Sequence, residues 1–166
     1  MSIRATKPAL DQEEELRQHV EHFLVAAHEL PTLDVAERIE VVERITTFLA
    51  EILLPHTQTE KRVLYPAAAR LLNERDDSDA VERDREAVRE LLGRLAQADA
   101  HDAGALQETL YALYTLLSSH FWREEALIVK LAALDDEDGV RDVMDEIAAA
   151  RRRRFRPRTV GVVAAR

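Results

Sequence analysis

Apolar residues recur along this chain at intervals of three and four, the period of a helix that buries one face. The first series runs Leu16, Val20, Phe23, Ala27, Leu30 and stops at Pro31. Pro8 suits the first turn of that helix, with Met1 to Lys7 a loose lead-in. Asp34 followed by Glu37 reads as a capping box that opens a second, long helix. Its stripe is Val42, Ile45, Leu49, Ile52, Val63 and Ala67, and Pro55 and Pro66 predict a kink or short break just before His56 and another past Tyr65. Asn73 to Asp79 is polar and turn-like. Ser78 is placed to cap a third helix on Val81, Val88, Leu91, Leu92 and Leu95, ending near Ala98. A loop around Asp99 to Gly104 leads to a fourth helix, from about Ala105 to Leu134. After the acidic turn Asp135 to Gly139, the positions Val140, Val143, Met144 and Ile147 mark a shorter fifth helix, suited to packing across the others or to association. Strand-type alternation never lasts more than a few residues. The expected fold is all-α: an up-down-up-down four-helix bundle with a short additional C-terminal helix over 1–154, then a basic, disordered tail over 155–166.

Two of these stripes are interrupted by the same polar pattern. His56 and Glu60 stand four apart, and 64 residues on so do His120 and Glu124. That spacing puts both side chains of each pair on one helix face. On the fourth helix the stripe Leu106, Leu110, Leu113, Leu117, Leu127, Ile128, Leu131 passes through His120 and Glu124, where leucine would be expected. On the second helix the stripe passes through His56 and, nearer its edge, Glu60. A carboxylate buried without a partner costs several kcal/mol or gives up its charge. Carboxylates and imidazoles in a core therefore call for a cation, and this donor chemistry suits iron, manganese or zinc.

The other helices that face such a site should contribute as well. His19 lies 37 residues before His56, and Asp84 lies 36 before His120, so the halves read as a repeated hairpin. Asp84 falls inside the third helix's stripe, and His19 shares the face of Leu16, Phe23 and Leu30. His22, one turn later and about 60° round the helix, is an alternative or additional ligand. The expected metal ligands are thus His19, His56, Glu60, Asp84, His120 and Glu124. Six donors, two of them able to bridge, suit a dinuclear site better than a mononuclear one. His28 and His101 read as surface or loop histidines. Tyr65, Tyr111, Tyr114 and Trp122 read as core packing, or as oxidisable neighbours of a redox metal, with Tyr65 also a potential ligand.

Composition narrows the class further. The 166 residues fit one domain, 46% of them hydrophobic, with only 4 Gly and 5 Pro, as helical proteins require. Without cysteine there is no disulfide, thiolate site or thiol chemistry. A net charge of −9 argues against nucleic acid as a general partner. The arginine run from Arg151 to Arg158 reads as a solvated tail that partly satisfies the end of the last helix. No signal-type or membrane-spanning run is evident, so a cytoplasmic protein without a membrane partner, monomeric or homodimeric, is expected.

The two His-x-x-x-Glu pairs, with Leu54-Pro55-His56, Leu64-Tyr65-Pro66, His120-Phe121 and Glu124-Glu125 around them, resemble the haemerythrin-like (HHE cation-binding) domain family over residues from about 10 to 134. The resemblance implies a four-helix bundle around a non-haem di-iron centre: two iron ions, oxo-bridged, with manganese or zinc the lesser alternatives. The chain departs from the family at Asp84, where histidine is usual. Oxygen-carrying members use five histidines and two carboxylates. Fewer imidazoles and more carboxylate here favour ferric iron and weigh against reversible oxygen carriage. The expected function is binding of, or reaction with, O2, peroxide or nitric oxide, as a sensor, a scavenger or a peroxide- or O2-consuming di-iron oxidoreductase, with a link to oxidative stress. An iron store without turnover and a metal-free helical interaction module are the alternatives.

Overall fold

A computed structural model describes residues 3–154, with side-chain surroundings described for 6–150. Helix α1 spans Ile3–Glu29 and closes with a 3-10 turn, Leu30–Thr32. Helix α2 covers 35–72, α3 Ser78–Gln97, α4 Ala103–Ala132 and α5 Glu137–Arg154. No strand occurs among the described residues, and the architecture is an all-α bundle with an additional C-terminal helix. The basic tail expected over 155–166 lies outside the described residues. No described helix is long and apolar enough to cross a membrane.

The helix ends follow from local chemistry. Asp34 and Glu37 form the expected reciprocal capping box at the start of α2. Asn73 ends α2 in the left-handed region at φ 52°, a conformation asparagine tolerates well. Three expectations shift. α1 begins at Ile3, so Pro8 lies inside it, beyond the first turn. Ser78 is the first residue of α3, and both its N–H and its hydroxyl donate to the Asp76 carboxylate. α4 begins two residues early, because Asp102 accepts from the Ala105 N–H and caps it.

The prolines of α2 do not break it. Two π-turns, Leu49–Leu53 and Glu60–Leu64, precede Pro55 and Pro66, so the second lies before Tyr65 and not past it. Leu54 and Tyr65, the residues before each proline, donate their N–H five residues back, to Leu49 and Glu60. A proline ring crowds the carbonyl four residues upstream, and the wider turn relieves that crowding. Each π-turn also rotates the buried face. Core positions run Ile45, Leu49, Leu53, then His56, Glu60, Leu64, in consecutive steps of four. A regular helix would drift about 80° over two such steps. The expected core residues Ile52 and Val63 are consequently half-buried, and Leu53 and Leu64 are fully enclosed; Val42, ahead of both π-turns, is half-buried as well.

Two apolar clusters fill the interior. One joins Leu16, Val20, Phe23, Leu49, Leu53, Val88, Leu113, Leu117 and Phe121; the other joins Ala9, Leu64, Ala68, Val81, Ile128 and Leu131. The second is covered by Val140, Val143, Met144 and Ile147, so α5 packs across the bundle. This register predicts that Leu53→Ala and Leu64→Ala each destabilise the fold by about 2–5 kcal/mol. Ile52→Ala and Val63→Ala should cost clearly less, as measured by urea unfolding at matched metal content.

Candidate metal centre

One polar layer separates the two apolar clusters on all four bundle helices. On α1 it is Glu13, between Ala9 and Leu16, and on α2 it is His56 and Glu60, between Leu53 and Leu64. On α3, Asp84 and Arg85 fall between Val81 and Val88, and on α4, His120 and Glu124 fall between Leu117 and Ile128. Glu60 and Glu124 are 0% exposed, His120 1%, and His56 and Glu13 4% each.

Ligand-type atoms of Glu13, His56, Glu60 and Glu124 all lie within 4.8 Å of one another. His56 Nε2 stands 3.2 Å from Glu13 Oε1 and closer still to Glu60. His120 Nε2 lies 3.2 Å from Glu124 Oε1 and 3.9 Å from Glu60 Oε2, which places it beside the same group. Both nitrogens of His56, Nε2 of His120 and both oxygens of Glu124 are buried without a partner in hydrogen-bonding geometry. Buried polar atoms of a native protein are normally satisfied, and atoms left so and pointing together fit a bound cation. Imidazole nitrogen and carboxylate oxygen are suitable donors for a transition metal.

The charges point the same way. Three carboxylates meet two imidazoles, so even doubly protonated histidines leave the layer one positive charge short. In the metal-free protein, protons stand in for the cation. Burial alone would push the His56 imidazole down, but Glu60 and Glu13 outweigh it and raise it to about 10. His120 is raised as well, Glu124 and Asp84 overcoming the effect of burial. Glu60 is held below the ordinary carboxylate range against its burial by the two imidazoles. Glu124 goes up, through burial and the neighbouring Glu60 charge. Tyr65 is buried, and both its burial and the charges of Glu124 and Glu60 hold its phenol in the protonated form.

Of the six residues expected from the sequence, the structure brings together His56, Glu60, His120 and Glu124. Asp84 sits at the edge of the layer, 3.1 Å from His120 Nδ1, on the side of the ring away from the cluster. His19 and His22 are on the exposed face of α1. The His19 ring packs 5.0 Å from that of Phe48, in a surface groove that His22 also lines. Glu13 occupies the place expected of His19. The signal for it was the stripe itself: Glu13 lies three residues before Leu16, in the series that continues through Val20 and Phe23, whereas His19 is about 100° away from Val20. His28 and His101 are exposed as expected. Tyr111 and Tyr114 are half-buried against the first cluster, but Trp122 is 72% exposed and not part of the core.

A bundle with a buried His/Glu layer drawn from several helices has the form of a cation-binding helical domain. Residues 10–132 match the family model of the Hemerythrin HHE cation binding domain, and the chain belongs to that family. No curated protein and no solved structure matches it.

A second polar network braces the turn of α2 that carries His56. Buried Arg85 donates through Nε to the Thr57 hydroxyl at 3.2 Å and through Nη1 to Glu82 at 2.7 Å, and Lys61 donates to the same Glu82 oxygen at 2.9 Å. The Lys61 and Arg85 hydrogen bonds outweigh burial and hold the Glu82 carboxyl at about 2, below its ordinary 4.5. A carboxyl lowered on folding stabilises the native state above pH 4.5, and that contribution is lost as pH falls toward 2. Glu82→Gln should cost about 1–3 kcal/mol near neutrality, because buried Arg85 loses its charged partner. Its stability should then fall less steeply than that of the wild type between pH 4.5 and 2, as followed by urea unfolding across that range.

Proposed function

We propose that this chain is a non-haem di-iron protein that binds or reacts with O2, peroxide or nitric oxide inside the bundle. The observation that carries the reading is the convergence of Glu13, His56, Glu60, His120 and Glu124, from three helices, in a layer sealed by apolar residues on both sides. These five residues would hold the metal; Glu60 lies against both histidines and Glu124 against His120. Iron bound there supplies a redox couple and a Lewis acid for a small oxidant.

The chain's own residues set the conditions. Leu53, Leu117 and Phe121 on one side, and Leu64 and Ile128 on the other, keep bulk water from the layer. Three carboxylates against two imidazoles favour the more oxidised metal, which supports turnover or sensing over reversible carriage. Tyr65 keeps its phenolic proton, held there by burial and by the Glu124 and Glu60 charges.

Untagged protein purified aerobically is expected to contain about two iron ions per chain and to show near-ultraviolet absorption that changes on adding peroxide or nitric oxide. Iron without any such response would make the protein a store. Folded protein that takes up no iron, manganese or zinc would leave a metal-free module. Glu13→Gln should lose metal to a chelator at least about tenfold faster, and His19→Ala should match the wild type, as read from metal content over time.

A further inference from the structure

Asp84 is the one member of the polar layer that meets a histidine from behind. Its Oδ2 lies 3.1 Å from His120 Nδ1, while Nε2 of the same ring faces Glu124 and Glu60. The Asp84 side chain is 17% exposed, whereas those of Glu60 and Glu124 are fully enclosed. The same oxygen, Oδ2, also accepts from Arg123, which lies one turn beyond His120 on α4 and is 43% exposed. His56 has no equivalent, and its Nδ1 is buried with no hydrogen-bond partner.

From this arrangement we infer that Asp84 is a positioning residue for His120: it accepts the Nδ1 proton, so that the ring presents an unprotonated Nε2 to the metal. An imidazole whose other nitrogen donates to a carboxylate is held in one tautomer and one orientation, and it is a stronger ligand. Arg123 draws on the same carboxylate oxygen and so moderates that effect from the protein surface. The two halves of the bundle are therefore not equivalent. The first half supplies its extra carboxylate, Glu13, directly to the cluster. The second supplies Asp84 one step removed, behind His120. At the third helix the chain thus trades a potential ligand for control of an existing one.

This inference rests on the cluster being a metal centre, and zinc, which is diamagnetic, serves as the probe. Asp84→Ala should retain the zinc stoichiometry of the wild type but release the ion to a chelator about 10–100-fold faster. Asp84→Asn, whose amide oxygen still accepts from Nδ1, should fall between them. Arg123→Gln should shift release in the opposite direction from Asp84→Ala. By NMR, His120 should show a slowly exchanging Nδ1 proton in the wild type and in Asp84→Asn, absent from Asp84→Ala. Loss of a whole equivalent of zinc in Asp84→Ala would make Asp84 a direct ligand and overturn the inference. Unchanged release together with an unchanged Nδ1 proton would also overturn it. Faster release in Arg123→Gln would remove the moderating role of Arg123. Failure of the wild type to take up zinc, iron or manganese would instead sink the metal reading, and the Nδ1 proton of the metal-free protein would still test the Asp84 contact.

Discussion

Ionisable side chains cannot lie in a helical core without compensation, and the architecture of this protein is arranged around one layer of them. Glu13, His56, Glu60, His120 and Glu124 replace hydrophobic residues at positions where the helices would otherwise meet in close-packed leucine. Desolvating such groups costs far more than any single apolar contact returns. The layer is tolerable because opposite charges sit together, and protons fill the remaining deficit when no metal is bound. The apolar clusters above and below supply the cohesion that holds the layer closed.

The long second helix carries the greatest share of this arrangement. Between Ile45 and Leu64 it must present His56 and Glu60 inward in line with leucines on either side, and two prolines lie in the same span. A straight α-helix would turn that face away before the span ended. The π-turns correct the phase and remove the steric conflict at Pro55 and Pro66 together. Between them the six residues Leu54–Thr59 form a regular helical turn, the segment in which His56 is displayed. Thr57 in that turn is anchored to Arg85 of α3.

Much of this was readable from the amino-acid order. The stripes of α1 and α4 keep a regular period, so their buried faces, including His120 and Glu124, follow directly from spacing. The capping box at Asp34 and the inward His56 and Glu60 were equally plain. What the order concealed has specific physical causes. A π-turn adds a residue without any residue type announcing it, which is why Ile52 and Val63 were expected in the core in place of Leu53 and Leu64. Glu13 is flanked by Glu14 and Glu15, and an acidic run on a helix ordinarily reads as a solvated face. Asp84 was expected among the metal ligands and instead meets the far side of the His120 ring, an outcome of tertiary approach that no spacing encodes.

The family match ends at residue 132, yet the second apolar cluster is closed by Val140, Val143, Met144 and Ile147 of α5. Without that helix, Leu64, Ala68, Ile128 and Leu131 would line an open end of the bundle, next to the layer that holds Glu60 and Glu124. The recognisable module and the packed core therefore have different lengths, and a chain trimmed to the module would lose the helix that closes this end of the bundle over Glu60 and Glu124.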